Sequence, residues 1–137
     1  MTEEKRQSLH PISEILCRIY NLLYEKKEVF FVLQDIQIEK LDTIVKTVYG
    51  TWFGINRFPA DKDKAVALFC LIIKDHPVVD GNKRLAVMCL ESFCEAHKLN
   101  MDLSRLPLDV LAVSVEQTKD MDNDQLFGLV KLILFGK

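Results

Sequence analysis

The chain has little glycine or proline, with Gly 5 and Pro 4 in 137 residues. So few turn-forming residues disfavour an all-β sandwich, which needs many tight turns. A surplus of positive charge is missing too. Lys+Arg 18 stand against Asp+Glu 20, a formal net charge of −2, so the chain lacks the basic footprint of a dedicated nucleic-acid binder. No direct nucleic-acid partner is expected. Cys17, Cys70, Cys89 and Cys94 form no Cys-x-x-Cys pair, and at least three lie in strongly apolar runs. They read as reduced core thiols of a cytoplasmic protein. Cys94 and His97 share a helical face, but no other ligand stands at a recognisable spacing, so no metal site is expected there. No apolar run is long enough to cross a bilayer, and the opening MTEEKRQSLHPISEI has acidic groups but no apolar h-region. Neither a membrane partner nor a signal peptide is expected.

What remains is an ordinary globular balance, 49% hydrophobic and 28% charged, at a length suited to one domain over residues 1–137. Residues 1–10 are expected to be a flexible tail. Helical spacing of apolar residues begins after Pro11 and runs to Tyr24. Val29 to Leu33 reads as a β-prone segment or a buried connector. Asp35 is a plausible N-cap for a second helix, and Gly50 is placed to end it. Thr51 to Pro59 (TWFGINRFP) breaks the period and reads as a hairpin-like flap. Within it Trp52 and Phe53, beside Gly54, are expected to pack inward, with target contact as the alternative.

Ala65 to Ile73 is apolar on every side, so its helix belongs at the centre of a bundle. Pro77 should stop it near Asp75, because a residue preceding proline is pushed out of the α region. Further helices are predicted from Gly81 or Asn82 to about His97, from Pro107, and after Asp122 or Asn123. His10 and His97 are expected at the surface. The fold class is all-α with a short flap.

The pattern breaks between the two most apolar helices, at residues 76–84, HPVVDGNKR. Lys83 and Arg84 stand in the first turn of a helix, where the macrodipole is positive and cations are disfavoured. Free backbone N–H groups of Gly81, Asn82 and Lys83 point the same way, and together they make a site that a polyphosphate would satisfy. His76 has the chemistry of a general base, Asp80 that of a Mg²⁺ ligand, and Arg84 the planar fork that suits phosphate oxygens. Spacing alone leaves a second reading open, a solvated interhelical turn with a structural histidine.

The stretch resembles the signature of the Fic/Doc family, roughly His-x-Phe-x-Asp/Glu-Gly/Ala-Asn-Gly/Lys-Arg. His76, Asp80, Gly81, Asn82, Lys83 and Arg84 match it. LIIKDHPVVDGNKR looks similar to the Doc-type domain that ends RhuM-type virulence proteins, and the likeness covers about residues 30–135. It implies an all-α Fic/Doc bundle with His76 as base and Asp80 as the Mg²⁺ ligand. Gly81, Asn82, Lys83 and Arg84 would bind the phosphates of ATP, with Lys83 and Arg84 also catalytic. Members that transfer AMP usually carry Gly at position 83 and a second Arg at position 87. Here these are Lys83 and Val87, as in the death-on-curing (Doc) branch, which passes on the γ-phosphate.

The resemblance thus implies a toxin that phosphorylates a hydroxyl of a protein such as elongation factor Tu. The alternatives are an adenylyltransferase, or a degenerate helical binding module in which Val78, replacing the usual Phe, leaves a volume deficit that Phe69 or Phe93 would have to fill. No inhibitory Ser/Thr-x-x-x-Glu/Gly/Asn motif stands near either end, which implies restraint by a separate antitoxin.

Overall fold

The computed structural model describes residues 1–136, and these form seven helices and one two-stranded hairpin. The expected tail contains a short helix, α1 (Glu3–Ser8). The Thr2 hydroxyl caps it by accepting from the Lys5 N–H, and Lys5 pairs with Glu39. Helix α2 (Pro11–Glu25) starts with proline in its first turn. His10 caps it, Nδ1 accepting from the Ile12 N–H, and its ring lies 4.6 Å from that of Tyr49. His10 is therefore half-buried structure rather than plain surface.

Helix α3 (Asp35–Tyr49) is capped by Gln34 in a reciprocal pair with Gln37. Asp35, the expected cap, is the first helical residue instead. A buried carboxylate latches α3 to α2. Asp42 Oδ1 accepts from the Ser13 hydroxyl at 2.6 Å and the His10 N–H at 3.0 Å, and Lys46 pairs with Oδ2 at 2.8 Å. Burial pushes this carboxyl up, but the bonds from Lys46, Ser13 and His10 outweigh it and hold it below its ordinary value. Gly50 ends α3 as expected, though with φ −80 rather than left-handed. Glycine is needed there for space, because a Cβ would lie 2.6 Å from the Lys46 carbonyl oxygen.

Strands β1 (Thr51–Trp52) and β2 (Ile55–Asn56) pair antiparallel, Trp52 opposite Ile55, so Phe53 and Gly54 form a two-residue turn. Both have positive φ, 52 and 77, as a type I′ turn requires. Helix α4 (Asp61–Asp75) is the axis of the molecule. Every residue from Ala65 to Ile73 is buried, and α3, α5, α6 and α7 all pack on it. An amphipathic helix could bury only one face, so the all-round apolar middle is what puts α4 inside.

Helices α5 (Asn82–Ala96), α6 (Leu108–Gln117) and α7 (Asn123–Phe135) complete the bundle, with Asp122 and Gln125 forming a capping box for α7. Cys70, Cys89 and Cys94 are buried and Cys17 half-buried, all free. Burial pushes the Cys70 and Cys89 thiols up to about 12. Of the segment from Val29 to Leu33, only Val29 is fully buried. It forms no strand, and the Tyr20 hydroxyl fixes it by donating to the Phe31 carbonyl at 2.6 Å. Among the described residues no helix is long and apolar enough to cross a membrane.

Candidate functional site at the start of helix α5

Helix α4 ends at Asp75, and His76 takes a left-handed conformation with φ 48 and ψ 59. Pro77 excludes the right-handed α region, as the sequence predicts. A left-handed non-glycine residue costs about 1–2 kcal/mol and persists only where neighbours hold it. Asn82 supplies the hold. Its Oδ1 accepts from the Val78 N–H at 3.0 Å, and its Nδ2 donates to the Val78 carbonyl at 2.8 Å. Both functions of the amide are thereby tied to the loop, and Nδ2 also faces His76 Nδ1 at 3.4 Å. That contact is long for a hydrogen bond, and His76 is exposed. Val78, where the resembled signature has Phe, is only 4% exposed and belongs to the main core cluster.

Gly81 precedes α5 with φ 83, and no side chain caps the helix there. The position favours glycine twice over, because a Cβ would also lie 2.4 Å from Val29 Cγ1. The first helical hydrogen bond returns only from the Leu85 N–H to the Gly81 carbonyl, at 2.8 Å. The N–H groups ahead of it are the orphan donors of a helix start, and the first turn contains no acid.

The two cations of that turn are each met by a carboxylate from a distant element. Lys83 Nζ lies 3.0 Å from Glu116 of α6, and Arg84 pairs with Glu28 of the α2–α3 connector at 2.6 Å. Neither glutamate was legible in the sequence as part of the site, since nothing local marks a partner 33 or 56 residues away. Both ion pairs are partly exposed and exchangeable, worth about 0–1 kcal/mol each. An arriving phosphate would compete with them on favourable ground.

Asp80 is half-buried beside the same helix start. The Tyr20 hydroxyl is pushed up by burial and next by the negative charge of Asp80. Asp80, Gly81, Asn82, Lys83 and Arg84 all line one cleft of about 930 Å³. His76 is not among its lining residues and stands at the start of the loop, linked through Asn82. Among the described residues no three His, Cys, Asp or Glu side chains gather closely enough to hold a metal ion unaided. A Mg²⁺ on Asp80 would take its other ligands from phosphate oxygens and water, the usual habit of that ion, and the single carboxylate fits it on those terms.

The flap departs from expectation. Trp52 is 61% exposed and Phe53 fully so. Two-residue strands make no sheet under which the rings could fold, so the turn projects. Its base is anchored by Phe58 packed edge-on to Phe127 at 5.7 Å and by Arg57 paired with Asp124 at 2.6 Å.

Comparison with known proteins agrees with this architecture. A sequence model described as the Fic/DOC family matches residues 11–94. A stretch of 46 residues is 41% identical to "Toxin Doc" of Mycolicibacterium smegmatis, covering 34% of this chain and 35% of that protein. The chain thus spans about a third of the length of that curated relative. No solved structure matches it.

Proposed function

The chain belongs to the Fic/DOC family, and we propose that within it the chain acts as a Doc-like toxin, transferring the γ-phosphate of ATP to a hydroxyl of a protein target. The observation that carries this reading is the uncapped start of α5. A left-handed Gly81, orphan N–H groups, and Lys83 and Arg84 in an acid-free first turn all meet on one cleft. Such a start favours phosphate through both the dipole and the free donors.

In this reading Lys83 and Arg84 leave Glu116 and Glu28 and take phosphate oxygens, Arg84 through two parallel N–H donors. The Gly81 amide joins them, while Asn82 keeps the loop in shape through its side-chain bonds to Val78 and adds its backbone N–H to the phosphate site. Asp80 would hold Mg²⁺, which when bound would supply charge neutralisation for the phosphates. His76 accepts the proton of the attacking hydroxyl as that oxygen bonds to the γ-phosphorus and ADP leaves. The left-handed backbone of His76 is the sort of strain that a working site retains. Phosphoryl transfer asks for positioning and charge stabilisation, and this constellation offers both.

Two departures from the AMP-transferring pattern support transfer of the γ-phosphate. Lys83 fills the position where that branch has Gly, and Val87 keeps the cleft wall apolar where it has a second Arg. The exposed Trp52 and Phe53 suit contact with a protein target, a translation factor such as elongation factor Tu. A separate antitoxin in the same cytoplasm completes the proposal. The test is incubation with cell lysate and ATP labelled at the γ- or the α-phosphate. Protein-bound label from the γ position alone, absent with His76→Ala, is expected. Label from the α position alone would make the chain an adenylyltransferase.

A further inference from the structure

The side-chain amide of Asn82 has no freedom left in how it points. Oδ1 meets the Val78 N–H and Nδ2 meets the Val78 carbonyl, so the reverse orientation would set donor against donor and acceptor against acceptor. One Nδ2 hydrogen remains, and His76 Nδ1 stands within its reach at 3.4 Å. A group that only donates can face only a lone pair, so neutral His76 carries its proton on Nε2. Among the described residues no carboxylate pairs with the ring, the adjoining Asp75 included, and nothing bonds Nε2. A carboxylate behind the ring would have fixed the opposite tautomer, with the proton on Nδ1.

We propose that the Asn82 side chain is the positioning residue for His76, and that the nitrogen which takes the hydroxyl proton is Nδ1. The proposal rests on His76 serving as base, as read above. Asn82 lines the cleft, so Nδ1 is the ring nitrogen on the cleft side. The contact is long, so an arriving hydroxyl can displace the amide hydrogen from that lone pair. The hydroxyl proton then passes to Nδ1 while Nε2 keeps its own, and the electrons of the O–H bond stay on the oxygen. That oxygen bonds the γ-phosphorus as ADP departs with the electron pair of the broken P–O bond. The ring is now an imidazolium whose Nδ1–H faces another donor, because the amide cannot turn over. It is pushed to give up the proton, and His76 is exposed, so water can receive it.

Long-range ¹H–¹⁵N NMR reads the tautomer of each imidazole, at about pH 8.5, two units above the ordinary histidine value of about 6.5. The other two histidines of the chain are the standards. His10 Nδ1 accepts from the Ile12 N–H and must carry its proton on Nε2, whereas His97 Nδ1 lies 3.3 Å from Asp61 and must carry it on Nδ1. Wild-type His76 should match His10, with a purer Nε2–H pattern than free histidine gives. Asn82→Asp should turn it to the His97 pattern, because a carboxylate can only accept. Unchanged His10 and His97 patterns check the fold of that variant. If it fails to fold, Asn82→Ala repeats the test, relaxing His76 to the free-histidine mixture. A wild-type His76 no purer than free histidine, or one unmoved in the folded variants, would overturn the proposal and leave the base reading standing. If His76→Ala keeps the γ-phosphate label on protein, the base reading fails and the catalytic part of Nδ1 falls with it, while the tautomer still judges Asn82.

Discussion

Replacing Gly81 with alanine attacks the loop at its tightest point. The backbone there has φ 83, and a Cβ would stand 2.4 Å from Val29 Cγ1, where ordinary contact begins near 3.4 Å. About 1 Å of room must then come from moving Val29, itself buried, or from moving the start of α5. Left-handed alanine costs about 1–2 kcal/mol, and forcing extra volume into a packed site costs about 1–3 kcal/mol. The sum is about 2–5 kcal/mol, a large part of a typical domain's stability. For a chain of this size that lowers the melting temperature by about 8–20 °C, readable by circular dichroism and checked by urea unfolding. Gly54→Ala is the control, because Gly54 has φ 77 but nothing within 4 Å of its Cβ. It should cost no more than the conformational part, about 1–2 kcal/mol. Adding Val29→Ala to Gly81→Ala should recover the steric part and show positive coupling in a double-mutant cycle. If Gly81→Ala proves no worse than Gly54→Ala, the close approach of Val29 to the loop is not a constraint and the reasoning is wrong.

Other consequences follow from the same geometry. Asn82→Ala removes both bonds to Val78 and strands a buried N–H and carbonyl, so a loss of about 2–4 kcal/mol is expected, with amide exchange rising first at residues 76–82. Hydrogen exchange that rises evenly along the chain would contradict that local role. Asp42→Asn should cost about 2 kcal/mol in urea unfolding by weakening charge-assisted bonds between α2 and α3. The folded carboxyl of Asp42 lies below its ordinary 3.8, so its contribution is complete above that value and is lost as pH falls through the lower folded one. Wild type should therefore lose more stability than Asp42→Asn on acidification below about pH 4. Glu28→Gln and Glu116→Gln each free one motif cation, and each should tighten tripolyphosphate binding up to about fivefold at low salt, fading at high salt. Unchanged or weaker binding would mean that the glutamates do not compete with phosphate.

The bundle was legible because its signals are local and mutually consistent. The all-round apolar stretch from Ala65 to Ile73 could only be central, Pro77 could only end the helix before it, and Asp122 or Asn123 marked the start of the last helix. The motif was legible for the opposite reason, since Lys83 and Arg84 contradict the local dipole and invite a ligand to resolve the conflict. Long-range pairing is what stayed hidden. Glu28, Glu116 and Tyr20 reach the site only through tertiary packing, and no period or spacing points to them. The exposed Trp52 and Phe53 were misjudged because propensity treats aromatics as core, whereas a two-residue turn on two-residue strands has no core beneath it. The helix within residues 1–10 escaped notice because its sequence is polar all round, and it is docked by the Lys5–Glu39 pair rather than by an apolar face.

The central claim is that the start of α5 is where phosphate binds. Amide chemical shifts recorded by ¹⁵N NMR while Mg·ATP is titrated into the protein test it directly. The largest changes should fall on Gly81, Asn82, Lys83 and Arg84, and they should disappear in Arg84→Ala. Shifts centred elsewhere, or none at these four amides at saturating ATP, would contradict the account.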